Sequence, residues 1–135
     1  MSKFLSTKYS KSAFNLGMLV LRIASGLLLA NHGYAKLIKF SSLRYKFMNF
    51  MHLGSTTSLS LIIFAELICG LLLILGLFTR FACIPIIIGM AVVVLVASHG
   101  NIFAEGEKGM MFLATTITIL LCGPGKISVD GMIGK

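Results

Sequence analysis

Arg22, His32 and Lys36 sit in one apolar stretch of the chain and Glu66 in another, and these are the side chains best placed to do chemistry. Glu66 is the sharpest signal, because the chain has only 4 acidic residues and this one lies mid-way along the apolar run Leu59–Phe78. A bare carboxylate in hydrocarbon costs at least ~2.5–3.5 kcal/mol on a lenient insertion scale, so it must be paired, hydrated or protonated. Ionisable groups held at such depth carry protons or ions, or meet the polar end of a ligand, unless they serve only to neutralise each other and fix helix register. Arg22 is the expected partner of Glu66, and both the structural and the functional reading of that pair stand open on sequence. No two candidate ligands have the i, i+4 spacing of a helical metal site, so no metal is expected. Cys69, Cys83 and Cys122 lack any CxxC or ligand spacing and read as small buried hydrophobes. Cys83 opens one span and Cys122 closes another near the same membrane face, which leaves a disulfide between them open.

Helical phase groups the candidates. At ~100° per residue, Arg22, Ser25, Gly26, Leu29, His32, Gly33 and Lys36 share one face of the first span, and Asn31 lies opposite. Small residues let helices approach closely in lipid, so this stripe is expected to face the bundle. On the second span Glu66 shares its side with Cys69, Gly70 and Leu73. At 1.5 Å per residue, His32 and Glu66 fall at a similar depth, ~10 Å below one surface. Arg22 reaches toward them from deeper, and His99 closes the third span at the same face. Asn101, Glu105, Glu107 and Lys108 form a polar rim in the following loop. The candidate site is therefore Arg22, His32, Lys36, Glu66 and His99 beneath that rim. The other half of the bundle is expected to hold little beyond Cys83, Cys122 and the hydroxyls of Thr115, Thr116 and Thr118.

The elements that must position these residues are membrane spans. The 135 residues are 57% hydrophobic and 12% charged, with a mean hydropathy of +0.97, more apolar surface than a soluble domain of this size can bury. The expected fold is an all-α integral membrane protein, a single domain of four transmembrane helices at about 14–38, 59–78, 81–98 and 109–122. The pair Thr79-Arg80 forms a tight connection between spans two and three, and Gly123-Pro124-Gly125 ends span four. Within Lys39–Ser58, the residues Phe40, Leu43, Phe47, Phe50 and Met51 recur at helical spacing. They predict a short interfacial helix with its apolar side down, capped by Ser41 or Ser42.

The net charge of +8 does not indicate a nucleic-acid surface, because the basic residues flank the spans. Lys3, Lys8, Lys11, Arg80, Lys126 and Lys135 fall on one face, and Lys36, Lys39, Arg44, Lys46 and Lys108 on the other. The slight excess places both termini in the cytoplasm.

Four segments carry a family resemblance: "LRIASGLLLANHGYAKLIKF", "AELICGLLLILGLFTRFACIP", "GEKGMMFLA" and "GPGKISVD". In that order the chain, from about Leu16 to Asp130, resembles the DoxX family of small four-helix bacterial membrane proteins. The resemblance implies a bundle in the bacterial cytoplasmic (inner) membrane. It also implies an association with quinone-linked oxidoreduction, thiol redox balance or larger membrane complexes. Carried over by position, it draws attention to Arg22, His32, Lys36 and Glu66, to Glu107 and Lys108, and to Asp130. The chain has no haem, flavin or iron–sulfur signature, so at most it is expected to be a subunit of a quinone-linked oxidoreductase, with a bound quinone as the one cofactor the pattern allows. The competing expectation is a non-catalytic accessory subunit that docks on a larger membrane complex or on a second copy of itself. A small transporter is disfavoured by the lack of inverted repeats or broken helices.

Overall fold

The computed structural model describes residues 3–134, apart from the side chain of Phe50; Lys135, counted above with the flanking charges, lies outside them. Six helices follow in chain order: α1 Lys11–Ile38, α2 Phe40–Leu43, α3 Ser55–Leu75, α4 Thr79–Ala97, α5 Glu107–Cys122 and α6 Val129–Ile133. The described residues contain no strand. Three of the helices, α1, α3 and α4, are long and apolar enough to cross a membrane, with lengths of 28, 21 and 19 residues. The fourth long helix, α5, has 16 residues, about 24 Å at 1.5 Å per residue. α1 packs on α3, α3 on α4, α4 on α5, and α5 returns to α1, closing a bundle. Its core includes Leu29, Leu59, Leu73, Cys83, Ile86 and Ile119, each fully buried.

The ends of these helices follow from local chemistry and shift several expected boundaries. α1 starts three residues earlier than Phe14 because Ser10 Oγ accepts from Ala13 N at 3.1 Å and caps it. α3 stops at Gly76, whose φ of +69° closes the helix while Leu77 N donates to Leu72 O at 3.0 Å. The α3–α4 connection is thus Gly76-Leu77-Phe78. Thr79 and Arg80, expected as the turn, are the first two residues of α4.

The expected interfacial helix does not form as one piece. Residues 39–54 fold into the four-residue α2, turns and a single 3₁₀ turn at Phe50–His52, with Met51 and His52 left-handed. Neither serine caps α2; Ser42 Oγ instead donates back to Lys39 O. Asn49 Oδ1 accepts from Gly54 N at 2.8 Å, a side-chain bond that closes the loop where a helix would have continued. Phe40, Leu43 and Phe47 nevertheless pack against the core, as their spacing predicts, while Met51 stays exposed.

Candidate functional site

The polar stripe on α1 faces the bundle. Met18, Arg22, Ser25, Gly26, Leu29, Ala30 and Gly33 are all buried, and Asn31 is exposed on the far side. Small residues make this possible. A Cβ at Gly33 would stand 2.6 Å from Leu67 N, and one at Gly26 would stand 2.7 Å from Gly70 O. No larger side chain fits that seam, so α1 and α3 meet backbone to backbone.

That close approach brings Lys36, in the last turn of α1, to Glu66 on α3. Lys36 Nζ donates to Glu66 Oε2 at 2.7 Å; the Glu66 side chain is 5% exposed and that of Lys36 27%. Glu66 sits in a widened turn, Phe64–Ile68, where Cys69 N donates to Phe64 O five residues back rather than four. Such π-turns re-aim one side chain within an otherwise regular helix and recur at functional positions. The Arg22–Glu66 pair expected from sequence is therefore corrected: the partner of Glu66 is Lys36.

Arg22 belongs to the opposite end of the bundle. Its side chain is fully buried; Nη1 donates to Leu73 O at 3.1 Å, near the C-terminus of α3, and Nη2 donates to Ile127 O. A cation at a helix C-terminus is favoured by the carbonyl dipoles that converge there. Gly76 makes the space: its φ is +69°, and an added Cβ would run into the Arg22 guanidinium and Ser128. Asp130 completes this end. Its two carboxylate oxygens accept from Phe78 N and Thr79 N, each at 2.8 Å, and so cap the start of α4 from a remote part of the chain. Burial pushes the Asp130 carboxyl up, but the hydrogen bonds from Thr79 and Phe78 and the nearby Arg22 charge outweigh it and hold the carboxyl below its ordinary range. Lys126 N donates to Asn15 Oδ1 at 3.0 Å, and Asp130 N to Gly76 O at 2.9 Å, so the last residues are tied across the bundle end. The expectation that this half holds little beyond cysteines and threonine hydroxyls is overturned by Arg22 and Asp130.

His32 is half-buried and faces α5, its ring edge-to-face with Phe112 at 5.8 Å between centroids. It lies in a cleft of about 380 Å³ between α1 and α5. Since α5 enters the bundle beside the end of α1, the two run antiparallel: Lys108 stands near His32 at the rim, and Thr115 and Ser25 line the cleft deeper in. Leu21, Leu28 and Met111 supply apolar wall. Ser25 Oγ donates to Leu21 O at 2.6 Å, which leaves its oxygen free to accept. Phase on α1 pointed to Ser25; nothing in the sequence paired Thr115 with it, since that needs the α1–α5 contact.

His99 is exposed and adopts a left-handed φ of 53° just after α4, where a second widened turn ends with Ser98 N donating to Val93 O. Asn101 and Glu105 are exposed on the same connection, and Glu107 is exposed at the start of α5. The five candidates thus divide: Lys36 and Glu66 touch, His32 lines a neighbouring cleft with Lys108, Arg22 joins a separate network, and His99 stands exposed beyond α4. All three cysteines are free, with Cys69 and Cys83 buried and Cys122 exposed. Among the described residues, no three His, Cys, Asp or Glu side chains gather as metal ligands.

These features can be set beside known proteins. The DoxX family profile matches residues 17–99, which include α3 and α4 whole and most of α1. An uncharacterized membrane protein of Mycobacterium tuberculosis (strain ATCC 25618 / H37Rv), Rv3486, is 33% identical over 84 residues, covering 52% of this chain and 52% of that protein. The chain thus spans about half the length of the curated relative it matches. No solved structure matches. The family match covers more than half of the 135 residues and every residue of the Lys36–Glu66 pair, and on that ground the chain is a membrane protein of the DoxX family.

Proposed function

We propose that the α1–α5 cleft binds a lipid-soluble small molecule with a polar head, of which a quinone is the leading example, and that the protein serves as a membrane subunit of a quinone-linked oxidoreductase. The supporting observation is the cleft itself, about 380 Å³, with His32 and Lys108 at one end and apolar wall below them. Its volume falls within the ~300–1,000 Å³ usual for ligand sites. A quinone head offers carbonyl oxygens, which need donors. The Lys108 ammonium and a His32 ring N–H are donors of the right kind, and Leu21, Leu28 and Met111 suit an apolar tail. Bound there, a quinone would supply two-electron, two-proton redox chemistry. His32 would hold or release a proton at a ring nitrogen. The Lys36–Glu66 pair, on the same α1 face one turn beyond His32, would keep positive and negative charge balanced beside the cleft.

In this reading α5 is the fourth span, with the bilayer thinning by a few ångströms beside its roughly 24 Å length. Both termini lie on the cytoplasmic side of the bacterial inner membrane. The electron donor is a partner protein, since this chain has no built-in redox cofactor motif.

The test is equilibrium binding of a short-chain quinone to the detergent-solubilised full chain. His32→Ala and Lys108→Met are each expected to weaken binding about tenfold, the worth of one charge-assisted or well-placed hydrogen bond, with helicity unchanged. A wild-type protein that neither retains quinone on extraction nor binds it when added refutes this reading and favours the accessory-subunit role.

A further inference from the structure

A second cleft lies on the other flank of the molecule, between α3 and α4, and encloses about 310 Å³. Phe47 and Met48 roof it from the α2–α3 connection, Leu61 and Ala65 form one wall, and Ile88 and Gly89 the other. Small residues face each other across it: a Cβ added at Gly89 would stand 3.7 Å from that of Ala65 and 2.8 Å from Ile62 Cδ1, so α3 and α4 approach closely there. Its one polar lining residue, Ser58, has its hydroxyl turned back onto Gly54 O at 2.8 Å. Leu61 and Ile88 are half exposed, so the groove opens toward the surrounding lipid. An apolar tail matches this lining; a polar ligand does not.

Charge lies on the same stretch of chain that supplies the roof. Residues 39–54, which include that connection, carry Lys39, Arg44 and Lys46 and no acidic residue. Arg44 is fixed there because its carbonyl accepts from Ser55 Oγ at 2.5 Å and Thr56 Oγ1 at 3.3 Å, one turn from Ser58 at the upper end of the cleft. Its guanidinium lies over the Tyr45 ring at 5.1 Å and the Phe40 ring at 5.8 Å. Lys46 is adjacent to Phe47 in the roof and is exposed. Among the described residues the one salt bridge is Lys36–Glu66, so none of these three cations has a carboxylate partner. Basic residues at a membrane boundary attract anionic lipid headgroups.

We propose that the α3–α4 cleft holds an acyl chain of an anionic phospholipid whose headgroup rests on Arg44 and Lys46. The site is independent of the α1–α5 cleft. A tail in the groove and a phosphate above it satisfy the two features together, and each alone leaves the other unexplained.

Native mass spectrometry of the full chain, loaded with phosphatidylglycerol or phosphatidylcholine of identical acyl chains, tests this. Phosphatidylglycerol is expected to be retained at one per chain, at least about fivefold better than phosphatidylcholine, as one basic contact is worth about that factor. Arg44→Gln with Lys46→Gln should abolish the preference. Ile88→Trp, which fills the groove from a half-exposed position, should abolish retention of both lipids, and Leu61→Trp provides the same test should the first variant lose helicity. Equal retention of the two lipids, or a preference that survives the charge change, overturns the headgroup assignment. Retention that survives both filling variants, or a second copy of the chain found in place of lipid, overturns the cleft.

Discussion

Removing Lys36 should destabilise this bundle more than removing Glu66. Lys36→Met leaves the Glu66 carboxylate deep in α3, about 16 Å along the axis from Ser55 at 1.5 Å per residue, with its side chain 5% exposed. Breaking a buried pair in this way costs ~3–5 kcal/mol, and a lone carboxylate at the centre of a span costs ~2.5–3.5 kcal/mol. About 3 kcal/mol is where the two ranges meet. Glu66→Leu instead leaves Lys36, which lies in the last turn of α1 and keeps 27% of its side chain exposed. A long side chain there can lift its ammonium to the interface, so about 1 kcal/mol is expected. The double variant should return near wild type, giving a coupling of about 2 kcal/mol or more, since a buried pair replaced by apolar side chains is often close to neutral. The assay is unfolding in mixed micelles followed by far-UV circular dichroism, because the chain has no tryptophan to serve as a fluorescence probe. A Glu66→Leu cost equal to or above that of Lys36→Met refutes the reasoning. So does a Glu66 coupling to Arg22 rather than to Lys36 in the parallel cycle.

The opposite end yields two further expectations. Asp130→Ala strips the acceptor from Phe78 N and Thr79 N and should cost about 1–2 kcal/mol, as for loss of a helix cap. Because folding holds this carboxyl below its ordinary range, its contribution is complete above that range and is lost as pH falls through the lower folded value. The stability curves of wild type and Asp130→Ala should therefore converge in acid and separate as pH rises. Gly76→Ala forces a Cβ into a left-handed position against the Arg22 guanidinium and should cost about 2–4 kcal/mol in the same unfolding assay. An Arg22→Met background should recover part of that loss, since it removes the obstructing group.

Much of α1 was legible because a helix turns through a fixed angle per residue. Arg22, Ser25, Gly26, Leu29 and Gly33 had to share a face, and all are buried. Phase cannot say which neighbour lies across that face, and this is where the sequence reading misassigned a partner. Arg22 and Lys36 share a stripe, yet 14 positions along α1 separate them by about 21 Å. A carboxylate on α3 can therefore meet only one, and the Gly33–Leu67 approach selects Lys36. The bonds that take up Arg22 span 51 and 105 positions in sequence, beyond the reach of any local pattern. The interfacial helix failed for a local reason. Its apolar spacing was real, but Asn49 and Gly54 closed the loop with a side-chain bond instead.

The separation of the two charged clusters bears on where chemistry is available. At the Arg22 end, Nη1 and Nη2 of the guanidinium donate to two backbone carbonyls, and the Asp130 carboxylate accepts from two backbone N–H groups. Every one of those contacts joins separate segments of the chain, so disturbing them to bind a substrate would loosen α1, α3, α4 and the last residues at once. At the other end, the Lys36–Glu66 pair is made by two side chains alone, within a π-turn, and His32 and Lys108 form no ion pair among the described residues. Groups held by a single side-chain link, or by none, can change partners when a ligand enters without breaking any tie between backbone segments. A bound molecule near His32 has Lys36 one helical turn away, and drawing that ammonium from Glu66 would leave a buried carboxylate without its partner. Glu66→Leu, which frees Lys36 beforehand, is therefore expected to bind a ligand at the α1–α5 cleft about fivefold more tightly than wild type, the worth of roughly 1 kcal/mol. Calorimetric titration of a short-chain quinone into both proteins reads that difference directly, and equal affinity would sever the cleft from the pair.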